Sequence, residues 1–402
     1  MSKPEIPAQI GGTAIDAALL TRMIEMRRHL HQNPELSNEE ARTQAYISAA
    51  LVAAGLDTVR DVAGYGLAVD IVGTAAKSNR KIAIRADIDA LPIAEDSGVE
   101  FASQNPGVMH ACGHDAHTAM VFATAVSLYN IRESFGGTVR LIFQPAEEAE
   151  PLGGRRVVEE GLLDDVDAAV GIHVDPYTPT GLIAVASGPY TLASDIFDVT
   201  VGGVSAHAAK PSEGVDAIAV ACSMVSELQK IVAREIDPYD PVVVSVTGIS
   251  GGGAYNVIAD RVHFKGTIRS GSEATRQRVQ RRVREVLDGV AASHRATVEF
   301  TLVRGEPPVV NDPEMTRLLG DSVTGTFGPE SLLNAPGWTA ADDFGFYSEK
   351  RPSVYFRLGI RNENAGAVYP LHHPKFRVDE AALAMGATVL VNMATNFLRR
   401  AD

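Results

Sequence analysis

KIAIRADIDALPI (residues 81–93) opens as a run of apolar residues and closes on acidic ones. The apolar part reads as a buried strand, with Asp87 and Asp89 where it ends. The same grammar occurs twice more. VRLIFQPAEEAE (139–150) is an apolar strand followed by a polar loop with Pro145, and AAVGIHVDP (168–176) places His173 after its apolar half. Helical segments separate these runs, and residues 14–56 read as helices broken at Pro34 and closed by Gly55. Three buried strands, each delivering polar groups at its carboxyl end, predict a mostly parallel α/β sheet with its site along those ends.

From Ser194 onward the pattern changes. SDIFDVTVGG reads as a strand and GVDAIAVACSMVSELQKIVAREI as a long helix. PVVVSVTGISGG and DRVHFKGTIRS are two strands in succession, SEATRQRVQRRVREVLDGVAASHR is a helix with a charged face, and ATVEFTLVRG is a last strand. The order βαββαβ is ferredoxin-like. The expected architecture is therefore a catalytic α/β domain, residues 1–192 and 305–402, interrupted by a smaller domain over 193–304.

Composition narrows the function. The chain has 402 residues, 45% of them hydrophobic, which is ample for a folded core. A formal net charge of -14 argues against nucleic acid as partner, because phosphate binding needs a basic face. No apolar run is expected to reach the length needed to cross a bilayer, and MSKPEIPAQIGG lacks the basic-then-apolar form of a signal peptide. Two cysteines, Cys112 and Cys222, make no disulfide scaffold, so the cytoplasm is the expected compartment. Cys222, among Ala and Met in a helix, reads as a small core residue.

The chemistry concentrates in VMHACGHDAHT (108–118). Cys112 and His114 can supply two neighbouring ligands to zinc, nickel, cobalt or manganese. Alone, the stretch reads equally as a polar loop or a redox cysteine; the redox reading lacks a partner thiol, since Cys222 falls in the other expected domain. Further compatible groups recur at strand ends and near the C-terminus: Glu147 and Glu148 after RLIFQP, His173 after AAVGI, and His372 and His373 in YPLHHPKF. Hydrolysis at a metal needs anionic or imidazole ligands and a base beside the attacking water. Adjacent glutamates suit that division, one ligating while the other faces the water.

RRHLHQNPELSNEEARTQ, IRADIDALPI, MHACGHDAHT, FQPAEE, GIHV, GGVSAHAAKP, NVIADRVHFKGTIR and LHHPKF, in this order, cover nearly the whole chain. Together they resemble the amidohydrolase branch of the metallopeptidase family that includes aminoacylase, carboxypeptidase G and succinyl-diaminopimelate desuccinylase. That branch holds hippurate hydrolases, auxin-conjugate hydrolases and N-acetyl-diaminopimelate deacetylase. The resemblance implies two divalent ions (Zn, Mn, Co or Ni) about 3.5–4 Å apart. By the same resemblance Cys112, His114, Glu148, His173 and His372 are the ligands, with Cys112 bridging. Glu147 matches the general base, and Asp89 an aspartate that orients a ligand. Asp87 stands where related carboxypeptidases carry a ligand histidine.

In the inserted domain the resemblance assigns His207 to polarising the substrate carbonyl in a partner subunit's site, and Asn256 and Arg269 to holding the oxyanion and the substrate carboxylate. The inserted domain is then a lid and a dimerisation surface, and the protein a homodimer. The implied activity is cleavage of the amide of an N-acyl amino acid or similar conjugate. A metallo-aminopeptidase or dipeptidase on the same scaffold is the alternative enzyme, and a catalytically silent binding relative the alternative class. Every ligand and Glu147 being present speaks against the last. One departure stands out: TAADDFGFY has Asp342 where the family usually carries glutamate.

Overall fold

The structure is a computed structural model that describes residues 15–75 and 78–400. The N-terminal stretch considered for targeting, and the first residue of the expected helical region, lie outside the described residues. Two compact units are present. The first comprises the chain up to Gly188, Val310–Gly337, and the chain from Phe346. The second comprises Pro189–Val309 and Trp338–Gly345. Trp338–Gly345, and Asp342 with it, thus belongs with the second unit rather than with the returning segment around it.

In chain order the first unit begins with α1 (Ala17–Gln32), α2 (Ala41–Ala53), β1 (Arg60–Val62), β2 (Gly66–Val72), β3 (Lys81–Asp87), α3 (His114–Asn130), β4 (Thr138–Gln144), α4 (Gly153–Glu159), β5 (Ala168–Pro179) and β6 (Ile183–Val185). The second unit supplies β7 (Ala193–Gly202), β8 (Ala206–His207), α5 (Ala217–Glu235), β9 (Val242–Gly251), β10 (Val257–Ile258), β11 (Arg261–Ser270), α6 (Glu273–Ser293) and β12 (Thr297–Arg304). The first unit resumes with α7 (Pro313–Phe327), β13 (Leu332–Asn334), β14 (Ser353–Arg361) and α8 (Leu383–Leu398).

The first unit's sheet runs β1-β2-β4-β3-β5-β14-β6-β13. Its centre, β4, β3, β5 and β14, is parallel. These strands are buried almost throughout, as expected of strands covered on both faces. Helix α3 is buried from His114 to Leu128 and packs against α1 and α8. Register sets the level of the site. Asp87 pairs with Gln144 and Arg85 with Gly171, so His173 lies level with the ends of β3 and β4. It is nonetheless not a strand terminus: β14 stays paired alongside, Gly359 opposite Asp175, and β5 continues to Pro179.

By length and composition Glu380–Leu398 is long and apolar enough to cross a membrane, contrary to the expectation that no run is. Its apolarity has another cause: the helix is mostly buried in the first unit's core, with Leu383, Val389, Leu390 and Met393 inaccessible or nearly so.

The second unit's sheet, β9-β11-β7-β12, is antiparallel throughout. This is the ferredoxin-like arrangement. Burial alternates along β7 and β11, so one face carries α5 and α6. A short ribbon pairs β8 with β10. Cys222 is exposed, not in the core. The buried stripe of α5 runs Ala217, Val220, Ala221, Met224, Leu228, Ile231, and Cys222 falls about 100° round from Ala221.

Candidate active site

Seven of the residues singled out above lie in the first unit: Cys112, His114, Asp89, Glu147, Glu148, His173 and His372. Gly113 makes their convergence possible. It caps α3 with φ +85, and a Cβ there would lie 2.5 Å from Val174 Cγ2. Only glycine meets both demands, and it turns the chain so that Cys112 and His114 face one place.

Cys112 Sγ is 3.4 Å from His173 Nε2. His372 Nε2 is 3.3 Å from Glu148 Oε1. His114 Nε2 is 3.9 Å from Glu148 Oε1 and 4.0 Å from Glu147 Oε2. The ligand atoms of Cys112, His114 and His173 lie within 4.8 Å of one another, as do those of Cys112, Glu148 and His372. Cys112 belongs to both groups.

Each ring is aimed by its other nitrogen. His114 Nδ1 faces the Asp89 carbonyl oxygen at 2.9 Å and Asp89 Oδ1 at 3.2 Å, which leaves Nε2 as the lone-pair nitrogen. Asp89 Oδ2 in turn accepts from Ser37 Oγ at 2.7 Å and from Glu148 N–H at 3.0 Å. One carboxylate therefore orients both His114 and the glutamate loop. His173 Nδ1 donates to the Val174 carbonyl at 2.7 Å, which turns Nε2 toward Cys112.

His372 has φ +61 and its N–H bonds Ala111 O at 2.9 Å, tying the two ligand loops together. Its neighbour turns elsewhere. His373 stacks on Tyr369 with ring centroids 4.7 Å apart and accepts from Lys375 N–H. The glutamate loop is braced as well: Ala146 sits at φ +50, and its N–H bonds the buried carboxylate of Glu40 at 2.8 Å.

These donors suit a divalent cation. His114 Nε2 is buried with no hydrogen-bond partner among the described residues, an arrangement that costs stability unless something accepts its lone pair. Burial opposes charging His114, yet Asp87, Asp89 and Glu148 outweigh it and hold the imidazole up to about 10. Burial together with Glu148, Glu147 and Asp87 pushes the Cys112 thiol well up. A bound cation would balance that negative charge, displace the proton from His114 Nε2 and favour the Cys112 thiolate.

Asp87, level with His173, is no bare carboxylate. It is fully buried and paired with Arg85 Nη1 at 2.6 Å and with His117 Nδ1 at 2.6 Å. The contribution of His117 was missed from sequence. The available signal was a second histidine three residues after His114, facing a second aspartate two residues before Asp89.

In the second unit the β8/β10 ribbon brings His207 opposite Val257, and Ala208 N–H bonds Asn256 O at 2.9 Å, so His207 and Asn256 are neighbours. His207 Nδ1 accepts from Ala209 N–H at 3.1 Å, which makes Nε2 the proton-bearing nitrogen. Arg269 stands apart from that pair in the sheet, on β11 between Ser194 of β7 and Val243 of β9. Asp342 is buried and accepts from Phe344 N–H at 2.8 Å.

Comparison with known proteins accords with this geometry. The family model described as peptidase family M20/M25/M40 matches residues 83–396. An N-acetylcysteine deacetylase of Bacillus subtilis is 38% identical over 94% of this chain and 97% of its own. Thermostable carboxypeptidase 2 of Saccharolobus solfataricus is 37% identical over 93% of this chain and 95% of its own. Among solved structures, a dinuclear metal-binding peptidase of the M20 family from Bacillus subtilis is similar with a TM-score of 0.83 and 36% identity. That match covers 95% of this chain and 99% of the other.

Proposed function

The chain belongs to peptidase family M20/M25/M40, and we propose that within it the protein cleaves the amide of N-acyl amino acids or closely related conjugates. It is a metal-dependent hydrolase of carbon–nitrogen amide bonds. The observation that carries the hydrolytic reading is the pair of donor groups sharing Cys112, with Glu147 beside them, and the deacetylase relative supports N-acyl amino acids as the substrate class. Cys112, His114 and His173 would hold one divalent ion, and Cys112, Glu148 and His372 a second; Zn, Mn, Co and Ni all accept this donor set. Bound there, such ions supply Lewis acidity to the carbonyl and ease deprotonation of water.

The rest is done by the chain itself. Glu147 takes the proton of the attacking water and delivers it to the departing amine. Asp89 keeps His114 and the Glu148 backbone in place. His207, with its proton on Nε2, has the right polarity to donate to the developing oxyanion, and Asn256 next to it can do the same. Arg269 binds the free carboxylate of the amino-acid half. In this reading the protein is a homodimer in which His207 acts on the partner's site. Both cysteines are free, which suits a reducing compartment such as the cytoplasm.

A peptidase reading is favoured by the carboxypeptidase relative and by the similarity to a solved dinuclear peptidase. Turnover of N-acetyl, N-benzoyl and indole-acetyl amino acids against unblocked dipeptides separates the two, run with Zn, Mn, Co and Ni in turn. Faster cleavage of the dipeptides would overturn the N-acyl reading. Chelation is expected to abolish activity, and Cys112→Ser and Glu148→Ala to lower bound metal by elemental analysis. Full metal content in both variants would remove the ligand assignment.

The dimer has its own test. Mixed His207→Ala and Glu147→Gln subunits, each inactive alone, should regain activity because each heterodimer holds one intact site. No recovery after verified exchange would place His207 in its own subunit's site.

A further inference from the structure

We infer that His117 is a positioning residue that aims His173 at the metal site through the peptide of Val174. The inference rests on the reading of His173 as a ligand. Val174 N–H donates to His117 Nε2 at 2.9 Å. A backbone N–H can only donate, so Nε2 carries the lone pair and the His117 proton sits on Nδ1. That proton points at Asp87 Oδ1, 2.6 Å away. On the far side of the same residue the Val174 carbonyl, which can only accept, takes the Nδ1 proton of His173 at 2.7 Å. His173 Nε2 thereby carries the lone pair and is turned to Cys112 Sγ, 3.4 Å away.

From His173 through Val174 and His117 to Asp87 the donors therefore run in one sense, ending on a carboxylate that also accepts from Arg85, and each tautomer is dictated by a backbone group. Arg85, Asp87, His117 and Val174 have no solvent exposure. Arg85 Nε reaches Gln144 Oε1 at 3.2 Å, and Thr118 Oγ1 donates to the Asp87 carbonyl at 3.0 Å, so the far end is anchored to β4 and α3. Water cannot substitute for a lost member without entering the core.

The geometry gives the two sequence motifs a common logic. Asp87 and Asp89 sit two apart at the end of β3, and His114 and His117 three apart on the first turn of α3. Each aspartate takes the Nδ1 side of one histidine. His114 then presents its own Nε2 to the site, whereas His117 spends its Nε2 on the backbone that carries the next ligand. Partners of this kind fix ring orientation and ligand tautomer and are worth about 10- to 100-fold in metal affinity.

The test measures metal affinity of folded protein by chelator competition, with zinc as the probe. His117→Phe, which fills the volume and removes both bonds, is expected to weaken zinc binding about 10- to 100-fold. His117→Gln, able to place an oxygen where Nε2 was, should lose less than His117→Asn, which cannot reach Val174. Wild-type zinc affinity in folded Phe and Asn variants would overturn the inference. A purely structural role would lower Tm in all three variants without this ranking.

Should the variants not fold, nitrogen-15 NMR of the wild-type histidines decides instead. A proton on His117 Nε2 contradicts the inference, and a proton on Nδ1 supports it. His173→Ala is the control for the underlying reading. If it too binds zinc normally, the ligand assignment fails; if it weakens binding while the His117 variants do not, only the positioning role fails.

Discussion

Glu147→Gln is expected to lower kcat by about 10²- to 10⁴-fold, the usual contribution of a general base, with bound metal unchanged. Glutamine keeps the volume and removes the proton acceptor. The substitution should not disturb its surroundings, because the loop is held by other groups. Glu40 takes the Ala146 N–H, Asp89 takes the Glu148 N–H, and Glu148 rather than Glu147 lies against His372. Glu147 itself lies near the site without belonging to either group that shares Cys112. The contrast with Glu148→Gln makes the measurement specific: that variant should lose metal as well as turnover. Kinetics and elemental analysis on the same preparations distinguish them, and near-normal turnover in Glu147→Gln would move the base elsewhere.

Blocking the substrate's α-carboxylate as an amide should reduce kcat/KM by roughly 2–4 kcal/mol, which leaving one member of a buried charge pair unpaired costs. By the rate relation this is about 30- to 900-fold. The expected partner is Arg269. Its side chain is half-buried on β11 and makes no hydrogen bond or ion pair among the described residues. That disposes of the plainer role, an ion pair within its own sheet. A half-shielded guanidinium with its donors unspent is suited to bidentate capture of a carboxylate. N-acyl amino acids and peptide C-termini both present a carboxylate beside the scissile amide. Arg269→Ala should erase most of the discrimination between carboxylate and carboxamide substrates. Equal hydrolysis of the two by the wild type would rule out Arg269 as the anchor and the N-acyl amino acid reading with it.

Much of the molecule was legible in local pattern. Strands ending in polar residues announced a parallel sheet, because a strand covered on both faces is apolar until it reaches the carboxyl edge where ligands sit. The switch to βαββαβ after Ser194 announced the second unit. Cys112, His114, Glu147, Glu148 and His173 were visible as donor types at matching topological positions. Pattern misled where a residue's environment depends on rotation or on distant chain. Cys222 sits among small apolar residues yet points off the buried stripe of α5. Glu380–Leu398 has the apolarity of a membrane span because other elements of the first unit enclose it. Trp338–Gly345 lies within the returning segment but packs with the second unit.

By itself, then, the sequence determined the order and type of the elements and the inventory of possible ligands, since both follow from side-chain chemistry and short-range period. Resemblance had already favoured His372 over His373; tertiary structure supplied the physical reason, since the left-handed backbone at His372 turns it toward Cys112 and Glu148 while His373 stacks on Tyr369. Tertiary structure alone decided which ring nitrogen each histidine presents. A tautomer is set by the partner of the other nitrogen, and those partners are Asp89 for His114, and Val174 with Asp87 for His117, 25 to 57 residues away along the chain. Hydrogen-bond direction is a property of pairs, and the pairs form only when β3, β5 and α3 are brought together.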